Sequence, residues 1–595
     1  TDSENAMESA SDINFDLELT ESTIDTEFTD REKSGSYKAS EAVKITLNKT
    51  TATVSGSGAK ADGSTITITE EGVYIVSGTL EDGQIIVDAS DFDKVQIVLD
   101  GVHINCETNA AIYVREADKV FITLAENSSN TLGDGNEYTQ IDDNTVDGVI
   151  FSKSDLVCNG TGSLTIEADY KHGIVSKDDL VITGGTYKIA AADNGITAKD
   201  QIKILNGSFD IDAANSAVKA KNTDDAELGN IYIAGGVFTV KAEQDGFHAT
   251  GSIVVDDGTI TVNSGDDGFH AELDTVIRGG TILVEKSYEG LEGKRVVVNG
   301  GDITVNASDD GANAAGSGDD DSNAASSNDD SSAVVNSGDD GSISGAADGK
   351  EPPQMPPDTE NGSDMQPSQD FDPENAPSGG NAPQDFDPGN APSDGDAPQM
   401  MQGGPGGGGN SELYIKITGG TLTVSADGDG LDSNGGLLVT GGTTIVYGPT
   451  SDGDSALDYD GSAIVTGGTL AAIGSAGMTE SFDEASTQPV ITYYCTETQS
   501  ADTAITLTDS DGSALFTVTP EKAYASIVLT CPEMKLDATY TLAAGTDNEE
   551  ITLTDIITTA GTRSVKTMSD PEGGKMPNNS DNKGTPPSKP SDTAE

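Results

Sequence analysis

The sequence predicts an all-β fold: a right-handed parallel β-helix, that is, a solenoid of coils of about 22 residues, followed by a C-terminal β module. Three observations predict it. The peptide DGFHA occurs at residues 245–249 and again at 267–271, 22 residues later. Glycine-led turns followed by alternating apolar residues recur with the same period. Segments with helical periodicity do not exceed about two turns.

The repeat is clearest when its copies are aligned on one anchor position, which is usually glycine. Consecutive anchors up to position 311 are 25, 22, 22, 29, 22, 22 and 21 residues apart, and the longest step contains an insertion near 222–229. This length allows about three short strands per coil and is too short for a propeller blade of roughly 40–45 residues. The LxxLxLxxN pattern of leucine-rich repeats is absent. The anchors are Gly148, Gly173, Gly195, Ala217, Gly246, Gly268, Gly290, Gly311, Gly430 and Ala456.

A second marker in each copy is a GG, NG or DG turn that leads into alternating apolar residues. Examples are GGTILV at 279–284 and GGDITV at 300–305. Glycine accepts the positive φ that such turns require, and period-two alternation indicates a strand with one buried face. We therefore expect one strand of each coil to begin just after this turn.

The rest of the chain is divided by composition and periodicity. The acidic, Ser- and Thr-rich start and the aperiodic end predict disorder, and the region with 12 of the 21 prolines predicts a low-complexity insert. The predicted segments are a disordered acidic stalk (1–40), N-terminal coils and cap (41–140), regular coils (141–315), a disordered insert (316–411), final coils (412–480), the C-terminal β module (481–562) and a disordered tail (563–595).

Charge is the most unusual feature of the composition. The chain has 102 acidic and 31 basic residues, a formal net charge of −71. A polyanion is repelled by nucleic acid and by anionic membranes, so we expect neither as a partner, and we expect no membrane insertion because no apolar run reaches spanning length. Such a chain is well suited to bind cations. We expect a monomer.

The cysteines and the first residue are relevant to the cellular location of the protein. The four cysteines have no CxxC spacing, so they suggest neither zinc binding nor a thioredoxin-like motif. Cys495 and Cys531 could form a disulfide, and four buried thiols are an equally good interpretation. The chain starts at Thr1 without Met, which suggests that a leader was removed. We expect an extracellular protein at the cell surface, with an unknown mode of anchoring.

Stacking of the coils would place equivalent positions about 5 Å apart. The residue after each anchor is apolar and should form one interior stack, so Phe247 and Phe269 are expected in the core rather than on a sugar-binding surface. The members of this stack are Ile174, Ile196, Val218, Phe247, Phe269, Leu291, Ala312, Leu431 and Leu457.

The positions just before and two after the anchor are mostly acidic. Like charges stacked about 5 Å apart repel each other, and carboxylates at that spacing can share one calcium ion between coils. A solvated acidic rim is the structural alternative. The turn at the anchor is assumed to bring the two positions together. The predicted calcium ligands are Asp245, Asp267, Glu289, Glu292, Asp310, Asn313, Asp429 and Asp432.

Two histidines and two bases complete the candidate site. His248 and His270 occupy equivalent positions; zinc is a weak alternative for this pair, and a hydrogen-bonded stack is the simpler interpretation. Lys294 and Arg295, in EGLEGKR at 289–295, lie beside the acidic coils. We predict that these four residues contact the ligand. We assign no catalytic residue.

Several stretches resemble a known family. They are residues 45–89, VQIVLDGVHI with the stretch 111–135 that follows it, the repeated DDG coils, and residues 521–542. The chain resembles calcium-binding, carbohydrate-binding β-helix proteins of anaerobic Gram-positive bacteria, over roughly residues 40–562 apart from the insert. The resemblance implies a right-handed parallel β-helix related in architecture to pectate lyases. It also implies bound calcium and binding of polygalacturonate and, as a further ligand, cellulose. The absence of Trp ranks acidic polymers above neutral glucans.

Three functions are therefore compared. The first is a non-catalytic, calcium-dependent polysaccharide-binding protein. The second is a calcium-dependent polysaccharide lyase acting by β-elimination, whose base would be Lys286, Lys294, Arg295 or Arg278. The third is a structural or adhesive solenoid in which calcium only clamps the coils together. The sequence favours the first.

Overall fold

The chain is described by a computed structural model over residues 24–316 and 410–563. These residues belong to one compact unit, Thr1–Asp319 with Pro405–Glu595, and the second unit, Asp320–Gly404, lies outside the described residues. Most of the predicted insert (317–409), most of the tail (564–595) and the first part of the stalk (1–23) also lie outside them. The described chain is nearly all β, which confirms the predicted all-β class.

The first described segment carries a short helix and ten strands. They are α1 Asp30–Lys33, β1 Val43–Lys49, β2 Thr51–Ser55, β3 Ala59–Asp62, β4 Thr65–Ile68, β5 Gly72–Leu80, β6 Gln84–Asp88, β7 Lys94–Cys106, β8 Ile112–Glu116, β9 Lys119–Leu124 and β10 Ser129–Asp134.

The next segment contains the regular repeats. Its strands are β11 Gly148–Ser152, β12 Asp155–Gly160, β13 Ser163–Ala168, β14 His172–Ser176, β15 Leu180–Ile182, β16 Thr186–Ala191, β17 Ile196–Ala198, β18 Gln201–Ile204, β19 Ser208–Ala213, β20 Val218–Ala220, β21 Asn230–Ile233, β22 Val237–Ala242, β23 Phe247–Ala249, β24 Ile253–Val255, β25 Thr259–Asn263, β26 Phe269–Ala271, β27 Asp274–Ile277, β28 Thr281–Ser287, β29 Leu291–Gly293, β30 Arg295–Val298, β31 Asp302–Ala307 and β32 Ala312–Ala314.

The last segment completes the repeats and adds a C-terminal part. Its strands are β33 Tyr414–Ile417, β34 Thr421–Ala426, β35 Leu431–Ser433, β36 Gly436–Val439, β37 Thr443–Tyr447, β38 Leu457–Tyr459, β39 Ala463–Val465, β40 Thr469–Gly474, β41 Val490–Gln499, β42 Ile505–Thr508, β43 Ala514–Val518, β44 Tyr524–Thr530, β45 Thr539–Ala544, β46 Asp547–Thr552 and β47 Ile557–Gly561.

Within the repeats, each strand pairs in parallel with the strand three positions later, so three ladders run along the molecule. The first ladder contains β12, β15 and every third strand to β39. The second contains β10, β13 and every third strand to β40. The third contains β8, β11 and every third strand to β38. Each repeat therefore contributes one strand to each ladder.

The glycine-led turns have the predicted backbone. The second glycine of each pair takes a positive φ, as at Gly280 (90°) and Gly301 (93°). A strand of the second ladder begins next, at Thr281 and Asp302. Its burial alternates along the chain, so one face of the strand packs into the core.

The core is a column of side chains between the ladders. The predicted interior stack is buried along its whole length, and its members pair in register on the third ladder. Phe247 and Phe269 are 0% exposed, and their ring centroids lie 4.8 Å apart with nearly parallel planes. The prediction that these phenylalanines are core residues is confirmed.

Residues 24–40 differ from the predicted disordered stalk. α1 is closed by a capping box between Thr29 and Glu32, and Glu32 is buried against the first ladder. The Nζ of Lys119 lies 3.0 Å from Glu32 Oε1, and the Nδ2 of Asn159 donates to the Glu32 carbonyl at 3.1 Å. The prediction was wrong here because it followed the acidic composition. It missed a capping box and one apolar residue, Phe28, whose ring packs against that of Tyr232.

The C-terminal residues form their own packed part. β40 pairs with β44 in the antiparallel direction, and β43, β42, β45 and β46 form a small antiparallel sheet. Cys495 and Cys531 are buried there as free thiols, as are Cys106 and Cys158 elsewhere. Within residues 24–316 and 410–563, no helix has the length and apolar character needed to cross a membrane.

Candidate functional site

The candidate site is built on the three-residue strands of the third ladder. In β23, β26, β29 and β32 the first and third residues are buried and the middle residue is partly exposed. The middle residues stand in register and form a line that we call the outer row. The outer row is Lys219, His248, His270, Glu292, Asn313, Asp432 and Asp458.

A second line of acids, which we call the capping row, precedes the anchors. One carboxylate oxygen of an aspartate accepts a hydrogen bond from the backbone N–H of the next coil. Glu289 N donates to Asp267 Oδ1 at 3.2 Å, and Asp429 N donates to Asp310 Oδ1 at 2.6 Å. This bond fixes the side chain while leaving the second oxygen free for other contacts. The capping row is Asp245, Asp267, Glu289, Asp310 and Asp429.

The turn at the anchor brings the two rows together, as assumed from the sequence. Asp245 Oδ2 lies 2.9 Å from His248 Nδ1, and Asp267 Oδ2 lies 2.9 Å from His270 Nδ1. The anchor glycine also lets neighbouring coils approach closely, because a Cβ at Gly268 would lie 2.6 Å from the carbonyl oxygen of Gly290. Residues three apart in the sequence thus face the same side.

One half of the site combines imidazoles and carboxylates, and we call it the histidine half. Ligand atoms of Asp245, His248 and His270 all lie within 4.8 Å of one another, and so do those of Asp267, His270 and Glu292. The rings of His248 and His270 stack with centroids 4.7 Å apart and planes 4° from parallel.

The other half contains only oxygen ligands, and we call it the carboxylate half. It consists of Asp310, Asn313, Asp429, Asp432 and Asp458. One oxygen each of Asp429, Asp432 and Asp458 lies within 4.8 Å of the others. This spacing suits a divalent cation with oxygen ligands.

Burial and crowding make the carboxylate half electrostatically unfavourable without a cation. Burial, together with the charge of Asp432, raises the pKa of Asp310 to about 8. Burial and the charges of Asp429 and Asp458 raise the pKa of Asp432 to about 7. Burial, followed by neighbouring aspartates, raises the pKa of Asp429 to about 6. A bound cation would remove this cost.

Two orphaned oxygens lie on residues next to the crowded carboxylates. Within the described part of the chain, the buried Oδ1 of Asn313 and the buried Oε2 of Glu480 have no hydrogen-bond partner. The Nδ2 of Asn313 donates to both oxygens of Glu289, at 3.2 and 3.1 Å. Burial and the charge of Asp458 raise the pKa of Glu480 to about 7. The oxygen set therefore fits a hard divalent cation.

The two histidines of the histidine half have opposite pKa shifts. Burial lowers the pKa of His248 and outweighs its contact with Asp245. Burial would also lower the pKa of His270, but hydrogen bonds to Asp267, Glu272 and Glu292 outweigh it and raise that pKa. These hydrogen bonds favour the protonated form of His270.

The predicted bases fall into two groups. Lys294 follows β29, and its charge contributes, after the hydrogen bond from His270, to a lowered pKa of Glu272. Arg295 is on the first ladder, where its Nη2 lies 2.6 Å from Asp274 Oδ2 and its Nε contacts the same carboxylate. Arg278 pairs with Asp256 at 3.3 Å. The structure thus keeps Lys294 near the rows and separates Arg295 from them.

Three residues near the rows were missed as site residues by reading the sequence. Lys219 stands in the outer row beside His248, and it was missed because a lysine does not fit the pattern of acids and histidines at this position. Glu272 contacts His270 from the position after β26, with 3.8 Å between Nε2 and Oε1. Glu480 lies beyond the last repeat, so no periodic signal could have identified it.

Comparison with known proteins relates part of this chain to a family. Residues 62–346 match the family described as "Carbohydrate-binding domain-containing protein". A protein of the same description from Acetivibrio thermocellus is 40% identical over 128 residues. That alignment spans 21% of this chain and 45% of the relative, less than half of its length.

A solved structure is also similar to this chain. It is entitled "Structure of the polysaccharide lyase-like protein from C. thermocellum, Gadolinium derivative" and is 32% identical. The match covers 40% of this chain and 96% of that one, with a TM-score of 0.39. From the family match, residues 62–346 of this chain are similar to the carbohydrate-binding domain-containing proteins.

Proposed function

We propose that this chain is a non-catalytic, calcium-dependent carbohydrate-binding protein of the cell surface. Its ligand is acidic polysaccharide of the polygalacturonate type, with cellulose as a further candidate. The family match over residues 62–346 supports carbohydrate binding. That region includes the histidine half and the outer row as far as Asn313.

The architecture proposed for this function is a right-handed parallel β-helix. The three parallel ladders and the continuous interior stack support it, because each repeat adds one strand to each ladder. A solenoid of this kind carries equivalent side chains in straight lines over many coils. Such lines are suited to a linear polymer.

The single observation that carries the calcium proposal is the carboxylate half. Its carboxyl groups have pKa values raised by burial and by one another, and the amide oxygen of Asn313 is unpaired. Calcium takes six to eight oxygen ligands at about 2.3–2.6 Å. The residues that would hold it are Asp310, Asn313, Asp429, Asp432 and Asp458.

Bound calcium also explains how a strongly acidic chain could bind an acidic polysaccharide. A chain with a net charge of −71 repels polyuronate. A calcium ion held by protein carboxylates can accept a uronate carboxylate at a remaining coordination position. The protein residues bind and orient the ion, and the ion supplies the positive charge for the polymer.

The lyase alternative has less support. Arg295 and Arg278 are paired with Asp274 and Asp256, so neither is suited to abstract a proton from a sugar in the rows. Of the four bases considered from the sequence, Lys294 is the one whose charge acts on Glu272 beside the histidine half. Incubation with polygalacturonate and calcium, followed by ultraviolet absorbance of unsaturated products, tests this alternative directly.

The proposed function predicts that Asp432→Asn weakens calcium binding and polymer binding together. Removing one charged ligand should lower calcium affinity on the order of 10-fold. Asp302→Asn is the matched control, because it removes the same charge from an exposed position of β31 outside the rows. Titration calorimetry of chelator-treated protein measures calcium, and a polygalacturonate pull-down measures the polymer.

The outcomes of this experiment distinguish a polysaccharide-binding protein from a structural solenoid. Loss of polymer binding on chelation, with an unchanged far-ultraviolet circular dichroism spectrum, supports the bridging proposal. Calcium uptake without polymer binding would favour a structural solenoid in which the ion only clamps coils. Equal calcium affinity in Asp432→Asn and Asp302→Asn would contradict the proposed calcium site.

A further inference from the structure

We propose that the histidine half is a second, chemically different metal site, which binds one divalent transition metal ion of the zinc class. His248, His270 and Asp245 are its ligands. This inference goes beyond the proposed function, because it assigns a different ion to different residues and does not depend on polymer binding.

The geometry of the three ligand atoms supports one shared ion. Asp245 Oδ2 and His248 Nδ1 are 2.9 Å apart, and one ligand atom each of Asp245, His248 and His270 lies within 4.8 Å of the other two. Zinc–nitrogen and zinc–oxygen bonds of about 2.0–2.2 Å place ligand atoms roughly 3.3–3.5 Å apart in a tetrahedron. Closing this set around an ion therefore requires the ligand atoms to move closer together.

The two imidazoles are neighbours, but their rings must rotate before they can share one ion, because each nitrogen lone pair lies in the plane of its own ring. His248 and His270 are register partners on β23 and β26, and their rings are stacked and nearly parallel. Each ring directs its Nδ1 to the carboxylate of its own coil. Both nitrogens therefore face the capping row.

The donor types select the class of metal. Carboxylates and amide oxygens suit calcium and magnesium, whereas imidazole suits zinc, copper, iron and nickel. The outer row changes from imidazole to oxygen donors between His270 and Glu292. We infer that the class of preferred metal changes at the same point.

The surrounding groups hold the ligands and balance the charge. Ser216 Oγ donates to Asp245 Oδ2 at 3.1 Å, and the backbone N–H of Asp267 donates to Asp245 Oδ1. Contacts of this kind orient metal ligands and raise their affinity. The carboxylates of Asp267 and Glu292, both in contact with His270, add negative charge beside the ion.

A proton occupies the place of the metal when no ion is bound. A hydrogen bond between Nδ1 and a carboxylate requires a proton between them. Zinc binding through Nδ1 requires each ring to carry its remaining proton on Nε2. A neutral imidazole reaches this state by moving its proton from Nδ1 to Nε2 through solvent, and a doubly protonated imidazole reaches it by releasing its Nδ1 proton. Three protein ligands leave a further position for water or a ligand oxygen.

The test uses the full chain, treated with chelator and then dialysed against zinc in excess calcium. X-ray absorption at the zinc edge counts the imidazoles around the ion, and we expect two per zinc. A shell of oxygen ligands alone, or complete displacement of zinc by calcium, would overturn the proposal. This measurement needs no variant, so it does not depend on whether a mutant folds.

Two histidine variants test which residues bind zinc. His248→Asn should weaken zinc binding at least 10-fold while leaving calcium affinity unchanged. His103→Asn, an exposed histidine of β7, is the matched control and should bind zinc like the wild type. Equal zinc affinity in these two folded variants would refute the assignment. The calcium affinity of the same variants, measured separately, tests the proposed calcium site independently of the zinc site.

Discussion

At the scale of single residues, each capping-row aspartate has two separate roles. One oxygen accepts a backbone N–H from the next coil, as Asp310 does from Asp429, and this contact holds the turn. The other oxygen points toward the outer row, as Asp267 Oδ2 does toward His270. An aspartate at this position therefore holds the turn and also contributes an oxygen to the candidate site. Glutamate at 289 departs from this geometry and instead accepts hydrogen bonds from the side chain of Asn313.

The raised pKa values of Asp310, Asp432 and Asp429, about 8, 7 and 6, predict a pH dependence of stability. An ordinary carboxyl group titrates near pH 4, so between about pH 4 and 8 the folded, ion-free protein holds more protons than the unfolded chain. The free energy of unfolding should then fall as pH rises through this window.

Calcium should abolish most of this dependence, because the ion replaces the protons. Urea unfolding at pH 5 and pH 8, each with chelator and with calcium, checks both statements. A chelated protein that is more stable at pH 8 than at pH 5 would contradict the assignment of buried, crowded carboxyl groups.

At the scale of the structural element, the anchor turn decides where the rows lie. At Gly268 and Gly290 the glycine lets the backbone of one coil approach that of the next, since an added Cβ would lie 2.6 and 2.3 Å from a carbonyl oxygen of the next coil. The strand that follows has three residues, and only its middle side chain faces outward. An anchor, a buried residue and an outward residue in this order therefore contribute one side chain to the outer row.

Replacement of an anchor glycine should disturb this element. In Gly268→Ala the new Cβ would lie 2.6 Å from Gly290 O and 3.0 Å from Val284 Cγ2. A backbone carbonyl cannot move aside easily, so we expect a loss of about 1–3 kcal/mol in the free energy of unfolding.

Gly453→Ala is the matched control, because nothing lies within 4 Å of its added Cβ. Chemical denaturation of both variants measures the difference. Equal stability of the two would mean that the close approach at the anchor has no energetic role.

At the scale of the whole molecule, the ladders join residues that are distant in the sequence. Ala312 pairs with Leu431 and Asn313 with Asp432, although residues 317–409 separate them in the chain. Asn434 N donates to Ala314 O at 3.1 Å, and Asn410 N donates to Asn434 O at 3.0 Å. The coils on either side of this region are thus hydrogen-bonded directly to each other.

This pairing predicts that residues 317–409 are dispensable for the carboxylate half. Replacement of these residues by a short Gly/Ser linker should leave the melting temperature and the calcium affinity close to those of the full chain, because closure entropy changes slowly with loop length. Differential scanning calorimetry and calcium titration of the shortened chain measure both quantities. A loss of calcium binding in the folded, shortened protein would show that the removed residues contribute to the site.

The sequence by itself determined the all-β class, the repeat length and the interior stack, because period-two alternation and glycine turns are local signals. It also identified both rows as lines of acids and histidines. Only the tertiary structure decided which of them meet. It joined Asp245 to His248 and His270, joined Asp429 to Asp432 and Asp458, and moved Arg295 away to Asp274. These outcomes depend on how coils stack and which way each turn directs its side chains, and no single repeat carries that information.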